Sequence, residues 1–180
     1  RHEESQAAAD FLGATIEFYA YNDYPLTMDE ERIRLLTKRI LEIRPELILT
    51  HWISDPLNLD HEITGKAVVR ALSSAAQIGA FPDTPAHYFP NVYFFESTVP
   101  HSEFNEFRAD TYIEIDDVYE IKMQAVAKFA CQPHLGGYYT HFATHRGFQA
   151  KDWAKRGIQY AEGFKRYLPY VGTQFPLTKR

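Results

Sequence analysis

The feature that most limits the fold is a short run, Leu47-Ile48-Leu49-Thr50, that is apolar without alternation. A strand of this kind fits burial on both faces, as in a parallel sheet covered by helices. Helical patterns stand on either side of it. Upstream, Thr27 and Glu30 read as a capping box, and Ile33, Leu36, Ile40 and Ile43 share one stripe before Pro45 stops the helix. Downstream, a helix is predicted over about 62–78, ended by Gly79.

The alternation continues along the chain. Residues 3–12 read as a helix closed by Gly13, and 14–20 alternate like a strand before a loop at 21–25. Further strands are expected at 92–96 and 111–115. Asp117 and Glu120 are expected to cap a helix carrying Val118, Ile121, Ala125 and Phe129; another helix covers 137–155, and residues 158–168 close the domain. Strands that alternate with helices imply an α/β fold with a mainly parallel sheet flanked by helices. There is no internal repeat and no low-complexity stretch, so residues 1–180 read as one domain.

Composition excludes several functions. With 45% hydrophobic and 24% charged residues, the chain is ordinary globular protein. The net charge of −5 and the scattered Lys and Arg speak against a groove that tracks nucleic acid. A single cysteine, Cys131, rules out an internal disulfide and a four-cysteine zinc site, and it reads as an inert buried thiol. No apolar run is long enough to span a bilayer, and no signal-peptide pattern opens the chain, so a cytoplasmic protein is expected. The chain opens inside a helical pattern without a Met, which implies further sequence upstream.

The chemistry is concentrated between the buried strand and the next helix, in His51-Trp52-Ile53-Ser54-Asp55-Pro56-Leu57-Asn58-Leu59-Asp60-His61. Open α/β sheets bind ligands at the carboxyl ends of their strands. His51, Asp55, Asn58, Asp60 and His61 can all coordinate a metal or move protons. The plainer reading is a polar loop in which Asp60 caps the following helix. His51 reads equally well as a site residue and as a hydrogen-bonded core histidine. Glu96 reads as a pocket residue or as one half of a salt bridge. His141 and His145, four apart on a helix, read as a pocket wall or polar face rather than a metal pair. Gly136-Gly137 reads as a turn or helix start, not a phosphate loop.

Asn58-Leu59-Asp60-His61 resembles the second metal-binding motif of the LmbE/PIG-L family, His-x-Asp-His. The resemblance runs in register through Arg1 to Gly13, Asn22-Asp23, Arg44-Pro45 to Thr50-His51, Gln132, and Tyr160-Ala161-Glu162-Gly163-Phe164. It implies a Rossmann-like fold whose first βα portion lies upstream of Arg1. It also implies a zinc ion held by His61, with the remaining ligands, a His and an Asp, upstream of Arg1. Arg1 and Asp23 would then bind substrate and Asp60 would support the site.

Asn58 departs from the family's deacetylases, which carry His there. Asn can donate a hydrogen bond but cannot become cationic. Asp23-Tyr24-Pro25-Leu26, Asp55-Pro56-x-Asn58-x-Asp60-His61, Gln132-x-His134-Leu135, Tyr138-Tyr139-Thr140 and Arg146-Gly147-x-Gln149-Ala150 resemble instead the family's zinc-dependent 4-oxalomesaconate hydratases. On that resemblance Asp60, Asn58 and His134 are the candidate catalytic residues, and Tyr139 and Arg146 line the pocket for a small polycarboxylate. The expected function is hydration of an unsaturated carboxylate. The alternatives are zinc-dependent N-deacetylation of acetylated sugars and an inactive binding module. Family members commonly assemble, so a homo-oligomer is expected.

Overall fold

The computed structural model describes residues 1–97 and 102–176. The helices are α1 (His2–Leu12), α2 (Glu30–Ile43), α3 (Leu59–Ala75), α4 (Ser102–Asn105), α5 (Tyr119–Val126) and α6 (Leu135–Ala154). The strands are β1 (Leu47–His51), β2 (Asn91–Phe95), β3 (Thr111–Glu114) and β4 (Ala161–Arg166), in the order β1-β2-β4-β3. The sheet is mixed: β1 and β2 are parallel, with Leu47 opposite Asn91 and His51 opposite Phe95, while β2 and β4 are antiparallel. Contacts gather into two compact units. One comprises Arg1–Ala20 with Tyr112–Gly163, the other Tyr21–Thr111 with the stretch from Phe164.

The second unit is built as a helix-covered parallel pair. Ile40 and Leu41 of α2, Ala71, Leu72 and Ala75 of α3, and Val92 of β2 form its core, with Ile48 and Phe89 packed against them. Small residues on α3 let that helix lie close to the sheet. At Gly65 the approach is closest, because a Cβ there would collide with the main-chain carbonyl of His51. Thus the start of α3 is seated on the end of β1.

In the first unit, Ile115, Tyr119 and Ala143 form one cluster, and Ala150, Ile158 and Ala161 another. Tyr119 and Tyr160 stack at 3.6 Å, and the Tyr119 hydroxyl meets that of Thr140 at 2.7 Å. The Asp116 carboxylate accepts the main-chain N–H groups of Gln159 and Tyr160, tying the approach to β4 to the turn before α5.

Several sequence expectations change. Residues 14–20 form no strand, since a period-two pattern needs a neighbouring edge and none pairs with it among the described residues. The α2 cap is Asp29, which accepts the Arg32 N–H at 2.9 Å; Thr27 is taken by the Arg32 side chain instead. Thr37 and Leu41 complete the buried stripe of α2, and Ile43 is 57% exposed. The run 47–50 is covered on one face only, with Leu47 55% and Leu49 51% exposed. α3 begins at Leu59 rather than 62, capped by Asn58 and not by Asp60. Neither Asp117 nor Glu120 caps α5, which follows directly on a 3-10 turn, Asp116–Val118. Cys131 is exposed, not buried; its thiol donates to Glu4 at 2.7 Å, and that bond raises the thiol pKa. A carboxylate neighbour, rather than burial, therefore disfavours the thiolate.

Asp110 supplies a pH-dependent brace beside β4. It is partly buried, which would raise its pKa. Hydrogen bonds from the Arg166 N–H, the Lys165 ammonium and the Thr111 hydroxyl outweigh that and lower it. A carboxyl depressed on folding stabilises above its unfolded pKa, and the contribution disappears as pH falls through the folded value. Its side chain is 40% exposed, so water screens the interaction, and Asp110→Asn is expected to cost about 1 kcal/mol at pH 7. In denaturant titrations the difference should shrink as pH falls below the ordinary carboxylate range. A difference that persisted there would mean the brace does not depend on charge.

Candidate metal-site histidine and its loop

β1 ends at His51, and the chain must turn from there into α3. Trp52 anchors the turn: its indole N–H donates to the Asn105 carbonyl at 2.7 Å, and its ring meets Phe94 and Phe107 edge-on. Asp55, only 5% exposed, then organises the loop. Its Oδ1 accepts the N–H groups of Leu57 and Asn58 at 3.1 and 3.2 Å, and its Oδ2 meets His61 Nδ1 at 2.8 Å. Asn58 caps α3 through Oδ1, which accepts the Asp60 N–H at 3.1 Å, while its Nδ2 lies 3.1 Å from His61 Nε2.

These bonds fix the His61 tautomer. A carboxylate accepts, so the imidazole proton sits on Nδ1 and the lone pair on Nε2. In the absence of another partner the Asn58 amide donates to that lone pair. A carboxylate behind the ring with a free-electron-pair nitrogen in front is the arrangement of metal-binding histidines. The His51 ring stacks on His61 at 4.1 Å, 11° from parallel. Burial drives the His51 pKa down to about 4, His61 beside it contributes in the same direction, and Asp55 opposes. His51 is therefore neutral at physiological pH and adds no positive charge beside Nε2.

Asp55, a possible ligand on sequence grounds, stands behind His61 instead. The parts played by Trp52 and Gly65 depend on contacts with Asn105 and His51 that no local sequence pattern announces.

The site residues expected from sequence fall in both units. Asn58, Asp60, His61 and, through the Asp60 carboxylate, the segment around Asp23 come together in the second. Arg1, His134, Tyr139 and Arg146 belong to the first. There, Arg1 precedes α1 and His134 precedes α6, both exposed; the Lys122 ammonium lies 5.2 Å over the Tyr139 ring, and Arg146 donates to Gln149 at 2.6 Å. His141 and His145 are exposed on α6, Gly136-Gly137 opens that helix, and Glu96 is half-buried just after β2.

Residues 1–72 match the sequence profile of the family described as PIG-L: GlcNAc-PI de-N-acetylase. Over 175 residues the chain is 37% identical to the 4-oxalmesaconate hydratase of Pseudomonas putida KT2440, covering 95% of this chain and 67% of that protein. The chain belongs to the LmbE/PIG-L family. Within this family, the crystal structure of GalB, the 4-carboxy-2-hydroxymuconate hydratase of P. putida KT2440, superposes with a TM-score of 0.91 at 36% identity, over 97% of this chain and 74% of that one. The N,N'-diacetylchitobiose deacetylase of Pyrococcus horikoshii superposes at 0.72 with 16% identity, over 92% of this chain and 62% of that one, which shows the common fold. No helix among the described residues is long and apolar enough to cross a membrane.

The LmbE/PIG-L family includes metal-dependent deacetylases, and the donor set of this chain fits a metal in part. Among the described residues no three His, Cys, Asp or Glu side chains group closely enough to hold one. His61 fits as one ligand with its supporting carboxylate; the described residues do not supply a full coordination sphere.

Proposed function

We propose that the chain acts as a hydratase on a small unsaturated polycarboxylate of the 4-oxalmesaconate type, with His61 as one ligand of a zinc ion. The observation that carries this reading is the 37% identity to the P. putida hydratase over 95% of the chain. The Asp55–His61–Asn58 geometry supports it. A zinc ion would supply a water of lowered pKa and polarise a substrate oxygen; its other ligands would come from beyond the described residues.

The chain's own groups have separate tasks. Asp55 keeps the Nε2 lone pair available. Asn58 offers a neutral N–H donor, suited to orienting a substrate oxygen but unable to serve as a cationic acid. Asn58 favours this reading over deacetylation, where a protonatable side chain is needed to release the amine.

The test is a spectrophotometric assay of the zinc-loaded protein with 4-oxalmesaconate. Water addition across the conjugated double bond removes its ultraviolet absorbance, so a catalytic, chelator-sensitive decline is expected. His61→Ala should abolish that decline. Unchanged absorbance, with acetate released from N-acetyl sugars, would replace the hydratase by a deacetylase.

A further inference from the structure

Asp60 precedes His61 in the first turn of α3, where a negative charge is favoured by the helix dipole. Its two carboxylate oxygens are both occupied by main-chain donors far away in sequence. Oδ2 accepts the Tyr24 N–H at 2.7 Å and Oδ1 the Leu26 N–H at 2.9 Å. We infer that Asp60 is a positioning residue that latches the segment around Asp23 onto the start of α3.

The segment needs such a latch. Residues 14–29 contain no helix or strand, and Tyr24 is 72% exposed, so the main-chain donors there have no ladder to join. Arg32 secures the flanks: its guanidinium lies 4.3 Å over the Tyr21 ring and donates to the Thr27 carbonyl and hydroxyl. Asp60 secures the middle with two charge-assisted bonds, which are stronger than neutral ones. Each oxygen faces one of the two N–H groups, so the carboxylate is aligned on the 23–26 segment from both sides. What the latch achieves is a fixed position for Asp23 next to the helix that carries His61. Its use in substrate binding rests on the hydratase reading.

Residue-resolved amide exchange tests the latch in the intact protein. In the wild type, the Tyr24 and Leu26 amides should exchange about 10- to 100-fold more slowly than in an unstructured peptide. Asp60→Asn leaves only one accepting oxygen, so at least one of the two amides should lose that protection while α3 keeps its own. On 4-oxalmesaconate the variant should raise KM by about tenfold and keep the shape of the kcat–pH profile. Unprotected Tyr24 and Leu26 amides in the wild type would overturn the latch. So would an Asp60→Asn protein with both amides still protected and one limb of the pH profile lost. Exchange needs no substrate, so a failed hydratase assay overturns the hydratase reading without touching the latch. If the variant does not fold, the wild-type measurement decides.

Discussion

On the proposed function, Asp55→Asn is expected to weaken metal binding and activity by about 10- to 100-fold while leaving the fold intact. The substitution is isosteric, so its effect comes from hydrogen-bond polarity. The native carboxylate accepts three times: from Leu57 N–H, from Asn58 N–H and from His61 Nδ1–H. An amide has one oxygen. If that oxygen faces Leu57 and Asn58, the NH2 group faces His61 and forces the proton onto Nε2, where it blocks the lone pair. If the oxygen faces His61 instead, the NH2 group opposes two N–H donors, and the loop that caps α3 loosens. Chelator-competition titration measures the affinity, and nitrogen chemical shifts of His61 in the metal-free protein report the tautomer directly. An unchanged tautomer with unchanged affinity would mean that Asp55 is merely a turn residue.

Gly65→Ala is expected to destabilise the protein by about 2 kcal/mol or more. In an exposed helix this change gains about 1 kcal/mol from propensity. Here the new methyl would overlap the His51 main-chain carbonyl, and a main chain cannot swing aside as a long side chain can. Overpacking of this sort costs about 1–3 kcal/mol, toward the upper end against a backbone. Relief requires α3 to lift from β1, which also separates His61 from His51. Gly136→Ala is the control, because nothing lies within 4 Å of a Cβ in that first turn of α6. It should be neutral or stabilising in the same denaturant titration. Similar behaviour of the two variants would show that α3 is not seated so tightly.

The parts of the fold visible in sequence are those with a local period. Helices α2, α3 and α6 and strands β1 and β2 lie within a few residues of where the sequence puts them, because apolar spacing and stop signals such as Pro45 act within one element. What escapes depends on partners distant in the chain. The 14–20 pattern satisfies strand spacing but lacks an edge to join. Asp60 and Asn58 both suit an N-cap, and the choice is made by Tyr24 and Leu26, whose amides draw the Asp60 carboxylate away. His61 can be singled out because its motif is contiguous. The role of Asp55, six residues earlier, depends on the turn that brings its carboxylate to Nδ1.

The anchoring of Trp52 also gives the loop an optical signal. The chain has two tryptophans. Trp52 sits between Phe94 and Phe107 with its indole N–H bonded to a carbonyl, whereas Trp153 is 68% exposed. Iodide or acrylamide quenches an indole in contact with water and spares a packed one. With the Trp153 emission quenched, the light that remains should come mainly from Trp52, partly buried at the head of the loop leading to His61. Any ligand that moves this loop should then be readable by fluorescence without a label.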